Sequence, residues 1–144
     1  MPTLLVVSDE DAMVETVDAA VGGPEVTIRH LRNGVEVVPD LERALPDLVV
    51  LDLQIGRMGG MATCMDIRLE EGAGRIGHVP VLMVLDRRAD VFLARRCGSD
   101  GWLLKPLDPI RIRKAVTALL EGGTWHDETG MPSPIAVQPA TEVG

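Results

Sequence analysis

Residues 46–53 read PDLVVLDL, an apolar run that carries an acid, Asp52, one place before its end. A run without polar alternation predicts a strand covered on both faces, where an ion is normally excluded. Two other charges stand in matching places. Asp9 closes TLLVVSD at residues 3–9, and Lys105 follows GWLL at residues 101–104. Three ions, each at the carboxyl end of a buried strand, predict one shared site.

Working outward, another apolar run lies near 80–85, and EVTIRHL at 25–31 alternates as an ordinary strand. Helical patterns separate these runs. The first, about 10–21, sets Met13, Val14, Val17 and Val21 on one stripe and stops at Gly22-Gly23. A short second helix follows the Asn33-Gly34 turn, with Pro39 forcing a late start or a kink. The third, about 59–70, is expected to turn Met61, Met65 and Leu69 inward, and the fourth covers 87–97 up to Gly98. The fifth opens with an Asp108 N-cap and Pro109, and buries Ile112, Val116, Leu119 and Leu120. Strands alternating with helices predict an α/β fold: a flavodoxin-like doubly wound parallel sheet of five strands, order 2-1-3-4-5, with helices on both faces. Residues 1–121 are assigned to this domain, and 122–144, with Pro132, Pro134 and Pro139, to an extended tail.

Composition narrows the function classes. No stretch approaches the roughly 20 apolar residues of a membrane span, and LLVV is too short for a signal peptide, so a cytoplasmic protein without membrane insertion is expected. Cys64 and Cys97 have no CxxC spacing and are expected to be small, buried and reduced, and the scattered His30, His78 and His126 predict no metal site. The first strand leads into SDEDA, where acids would repel a phosphate instead of cradling it, which argues against a nucleotide-binding enzyme. The net charge of −8 and the lack of a helix-turn-helix pattern argue against nucleic acid. Yet residues 87–114 hold eight of the 14 basic residues and three of the 22 acidic ones, a local positive field that could steer a protein partner.

The PDLVVLD run, the DLQIGRMGG segment and GSDGWLLKP together resemble the receiver domain of two-component response regulators, over about residues 3–121. The resemblance implies that Asp52 is the phosphoacceptor, attacking a phosphoryl group as a carboxylate nucleophile. Asp9, Asp52 and the backbone carbonyl of Gln54 would ligate Mg²⁺, Lys105 would contact the phosphoryl oxygens, and the Lys105-Pro106 bond would be cis.

Several positions depart from that pattern. Ser8 replaces the first of two adjacent acids, which weakens the expected Mg²⁺ site. Leu85 replaces a Thr or Ser hydroxyl and removes both a donor to the phosphoryl group and the trigger. Trp102 stands at the aromatic switch position, usually Tyr or Phe. Gly56 replaces a proline in the loop after the nucleophile, leaving that loop less constrained, and Asp86 either caps the fourth helix or adds repulsion where a phosphate would arrive.

Two readings follow. One is a non-enzymatic, phosphorylation-independent interaction module, a pseudo-receiver acting as an accessory subunit of a larger assembly. The other is a genuine phosphoacceptor regulator. In the first, partners would bind the face of the fourth helix, fifth strand and fifth helix through Arg87, Arg88, Arg95, Arg96, Arg111, Arg113 and Lys114. Trp125 in the tail either anchors the partner or folds back onto the fifth helix. Orphan single-domain receivers include some that dock on the bacterial respiratory NADH:quinone oxidoreductase, and the resemblance extends to these, which would place the protein peripherally at a membrane complex.

Overall fold

The computed structural model describes residues 1–129. Its sheet is fully parallel, in the order β2-β1-β3-β4-β5-β6: β1 (Thr3–Val7), β2 (Thr27–Leu31), β3 (Leu48–Asp52), β4 (Val81–Leu85), β5 (Gly101–Leu104) and β6 (Trp125–His126). Five helices connect the strands: α1 (Asp11–Val21), α2 (Val37–Arg43), α3 (Gly60–Gly72), α4 (Val91–Arg96) and α5 (Pro109–Leu120). The five expected strands take the expected order. A sixth, lying within the segment assigned to the tail, extends the sheet beyond β5. The tail's three prolines lie outside the described residues.

β3 and β4 are buried at every position, as their unbroken apolar runs demand. Strand alternation divides the core in two. Leu5, Val7, Val49, Leu51, Met83 and Leu85 face one side with Val37, Ile67 and Ala94 of α2, α3 and α4. Leu4, Val6, Val50 and Val84 face the other with Met13 and Val17 of α1 and Ile112 and Leu119 of α5.

Helix ends follow local chemistry. The Asp108 carboxylate caps α5 by accepting from the Arg111 N–H at 2.9 Å, and Gly98 (φ 82°) and Gly122 (φ 88°) supply the left-handed conformation after α4 and α5. The two shortest helices each open with a 3-10 turn, Gly34–Glu36 before α2 and Arg88–Asp90 before α4, so the fourth helix is shorter than its sequence pattern. Pro39 fits in the first turn of α2, where its missing N–H costs nothing.

The expected inward face of α3 is corrected. Met65 is 46% exposed and Leu69 is 69% exposed, and the buried face is Gly60, Thr63, Cys64 and Ile67, with Met61 partly buried beside it. Gly60 sets this phase. A Cβ there would stand 2.5 Å from the Asp52 carbonyl oxygen, so α3 can lean on β3 only at a glycine, and Met65 and Leu69 turn outward. Cys64 and Cys97 are buried and unbridged, and the Cys64 thiol donates to the Cys97 carbonyl.

Candidate functional site

Register places the ionic residues. Val7 of β1 aligns with Leu51 of β3, Asp52 with Val84 of β4, and Leu85 with Leu104 of β5. The residues just past these pairs (Ser8, Asp9, Asp86, Lys105) therefore gather at one end of the sheet with Asp52. This is the crevice at the carboxyl ends of the strands where a doubly wound sheet reverses direction.

Asp52 is completely buried, and donors surround it. The Ser8 hydroxyl donates to one carboxylate oxygen at 2.9 Å, and the Gln54 N–H to the other at 3.2 Å. The Lys105 ammonium reaches both, at 3.3 and 3.4 Å. Burial pushes the Asp52 carboxyl above its usual range, and these donors oppose the shift.

Lys105 is shared among three acids: Asp52, Glu10 at 3.0 Å and Asp86 at 3.0 Å. Burial by itself would lower its pKa. Hydrogen bonds that Lys105 donates to Glu10 and Asp86 and the charge of Asp52 outweigh that effect and raise it. Asp86 is thus not a cap for α4, whose 3-10 entry starts after Arg87, but a partner of Lys105. The Lys105-Pro106 bond is cis, as the resemblance implied.

Asp9 turns to a different partner. Its carboxylate accepts from the Gly56 N–H at 3.1 Å, and Gly56 also bridges to Asn33. A proline at position 56 could not make that bond, because it has no N–H. The loop expected to be loosened by Gly56 is tied down through it. Among the described residues no cluster of three or more His, Cys, Asp or Glu side chains converges as for a metal. Of the residues that the resemblance implies for a cation, the Asp9 carboxylate is engaged by the Gly56 N–H and Asp52 by Ser8, the Gln54 N–H and the Lys105 ammonium.

At the neighbouring switch positions, Leu85 is fully buried in the apolar cluster that also holds Trp102 and Leu104. Trp102, 3% exposed, stacks on His126 with ring centroids 4.3 Å apart and planes at 11°. The Arg95 guanidinium also lies over the indole, 4.9 Å from its centroid.

The basic face differs from the free surface that the sequence predicts. Arg87, Arg95, Arg96, Arg113 and Lys114 are exposed. Arg88 instead donates to the Asp127 carbonyl, and Arg111 donates to the carboxylates of Asp108 and Asp127 and to backbone carbonyls of Leu104 and Pro106. Trp125 folds back, half-buried, against the α1–α5 side of the core. Sequence reasoning missed Glu10, His126 and Asp127. Glu10 was visible only as the acid after Asp9 and Asp127 as an acid two places after Trp125, and no local pattern marks His126.

Comparison with known proteins agrees with this architecture. The family model for the response regulator receiver domain matches residues 4–117. The DNA-binding response regulator MtrA of Mycolicibacterium paratuberculosis is 28% identical over 119 residues, which cover 81% of this chain and 50% of MtrA. The nitrate/nitrite response regulator protein NarL of Escherichia coli is 31% identical over 116 residues, 79% of this chain and 52% of NarL. The chain therefore spans about half the length of these relatives. Among solved structures, chemotaxis response regulator CheY4 of Vibrio cholerae superposes with a TM-score of 0.72 at 20% identity, covering 81% of this chain and 97% of that one, which speaks for the fold alone. With the family model matched from β1 into α5 and the ionic site at the expected strand ends, this chain belongs to the response regulator receiver domain family.

Proposed function

We propose that this receiver acts as a phosphorylation-independent protein-interaction module, an accessory subunit of a larger assembly. The observation that carries the reading is Trp102, stacked on the His126 ring, with the Arg95 guanidinium over its indole and Leu85 in the same buried apolar cluster. A phosphorylation switch needs a group that answers the phosphoryl and an aromatic side chain free to change rotamer. Leu85 has no donor, and moving Trp102 would break its stack. Lys105, meanwhile, is shared among Glu10, Asp86 and Asp52, so the ammonium that a phosphoryl group would meet is already engaged.

A second reading keeps Asp52 as a phosphoacceptor. Its support is the Lys105 ammonium within 3.4 Å of both Asp52 carboxylate oxygens, the pairing that phosphoryl contact requires. One experiment separates the two. The protein is incubated with Mg²⁺ and acetyl phosphate, and its intact mass is measured. An unchanged mass supports the module reading. A gain of one phosphoryl group, abolished by Asp52→Asn, would sink it in favour of the second. Copurification of the full chain from native extract then identifies the assembly, and respiratory-complex subunits in the captured set would fit the resemblance to docking receivers.

A further inference from the structure

The segment after α5 is bound to the domain as a ligand would be. Trp125 and His126 lie parallel on β5, with the Trp125 N–H donating to the Asp100 carbonyl at 3.3 Å and the Asp127 N–H to the Trp102 carbonyl at 3.3 Å. The imidazole of His126 covers the indole of Trp102. The Asp127 carboxylate, in a residue only 4% exposed, accepts from the Leu104 N–H at 2.8 Å and from Arg111, and the Asp127 carbonyl accepts from Arg88. Thr129 closes the turn onto the other Asp127 oxygen through its N–H at 2.9 Å and its hydroxyl at 2.6 Å.

The domain contributes a matching receptor: the edge of β5, one flat indole, and two guanidinium groups from the 3-10 turn before α4 and from α5. Gly101 belongs to that receptor. A Cβ at 101 would come 2.6 Å from the Trp125 carbonyl oxygen and 3.0 Å from its nitrogen, so the close backbone approach requires glycine there. Charge is complementary as well. Arg88 and Arg111 of the basic segment 87–114 both donate to Asp127. β6 spans only two residues, so side chains, the His126 ring and the Asp127 carboxylate, carry much of the strap's hold on the domain.

We infer that Trp125–Thr129 is an intramolecular competitor seated in a peptide-docking groove, and that the groove's outside ligand is an extended acidic segment of a partner protein with a planar side chain directly before an Asp or Glu. Such a segment would add to the β5 edge by main-chain hydrogen bonds, stack on Trp102, and place its carboxylate on the Leu104 N–H and Arg111. The partner displaces the chain's own strap, so the free protein is closed. The inference rests on the interaction-module reading and specifies the chemistry of the partner.

The probe is a fluorescein-labelled peptide GTWHDET, residues 123–129 of this chain, titrated into the full-length protein by anisotropy. The wild type, its groove filled, is expected to bind weakly. Asp127→Ala, which releases the strap, should bind at least tenfold tighter, and a peptide carrying Asn for its Asp should lose that gain. His126→Ala, which removes only the stack, should fall between the wild type and Asp127→Ala and gives the answer if Asp127→Ala does not fold. Equal binding by the wild type and the folded variants, or a gain indifferent to the peptide's Asp, overturns the proposal. Phosphoryl uptake at Asp52 with peptide binding intact would remove the module reading and leave the groove standing. Absent peptide binding with no phosphoryl uptake would do the reverse.

Discussion

The imidazole of His126 lies flat on the indole of Trp102, centroids 4.3 Å apart and planes at 11°. A residue from beyond α5 thereby holds the aromatic side chain at the position where receivers carry their switch. Offset or parallel aromatic pairs contribute about 0.5–1.5 kcal/mol beyond the area they bury. His126→Ala is therefore predicted to lower unfolding free energy by about 1 kcal/mol, read as a lower urea midpoint with an unchanged slope. A midpoint equal to the wild type's would show that the stack holds nothing.

Asp52→Asn is predicted to stabilise the protein at pH 7. The carboxyl is fully buried and its pKa is raised above the ordinary 3.8, mainly by loss of hydration. An acid with a raised folded pKa is most favourable below its unfolded value, and that advantage is lost as pH rises through the folded value. The gain from the neutral isostere should thus be largest at neutral pH and shrink toward pH 4. Urea unfolding of both proteins at the two pH values tests it, and a destabilised Asp52→Asn at pH 7 would mean that the Lys105 pair outweighs burial.

Restoring the missing hydroxyl should not restore a switch. Leu85 has no exposed surface, so Leu85→Thr removes packed methyl groups and buries a hydroxyl, at a cost of about 2 kcal/mol. Trp102 remains stacked in that variant. Its intact mass after acetyl phosphate treatment is expected to match that of the untreated variant, and strong phosphoryl uptake by Leu85→Thr alone would locate the whole defect at one residue.

Acid should loosen the strap. Burial tends to raise the Asp127 carboxyl, but hydrogen bonds from Thr129 and Leu104 and the charge of Arg111 prevail and lower it. A depressed acid contributes stability that is full above its unfolded value, 3.8, and is lost as pH falls through the lower folded value. At pH 7, Asp127→Asn should be less stable than the wild type by about 1–2 kcal/mol, since it weakens a buried charge-assisted bond to Arg111. The two proteins should converge as pH falls below 3.8. Hydrogen exchange at the Leu104 N–H, the donor to Asp127, gives a local readout of the same change.

Much of this was legible in the chain. Apolar runs ending in Asp52 and Lys105, the Asp108-Pro109 helix start and the glycines after the helices are local signals, and local signals mark strand ends and caps. The inward face of α3 was misread because its Met61-Met65-Leu69 spacing is helical on either side of the axis. What chose the side was Gly60, through a contact with the backbone of β3. Asp86 looked like a cap for the same reason: sequence shows it beside Arg87 but hides the Lys105 ammonium 3.0 Å away.

The sequence by itself determined the family, the parallel order of five strands and the gathering of acids and a lysine at one end of the sheet, because buried strands tolerate a charge only where they stop. Tertiary structure alone decided that β6 joins the sheet and that Trp125, His126 and Asp127 fold back over Trp102 and Arg111. Those contacts join residues 16 to 24 places apart across a sheet edge, where sheet register, and not any neighbouring residue, brings ring to ring and carboxylate to guanidinium.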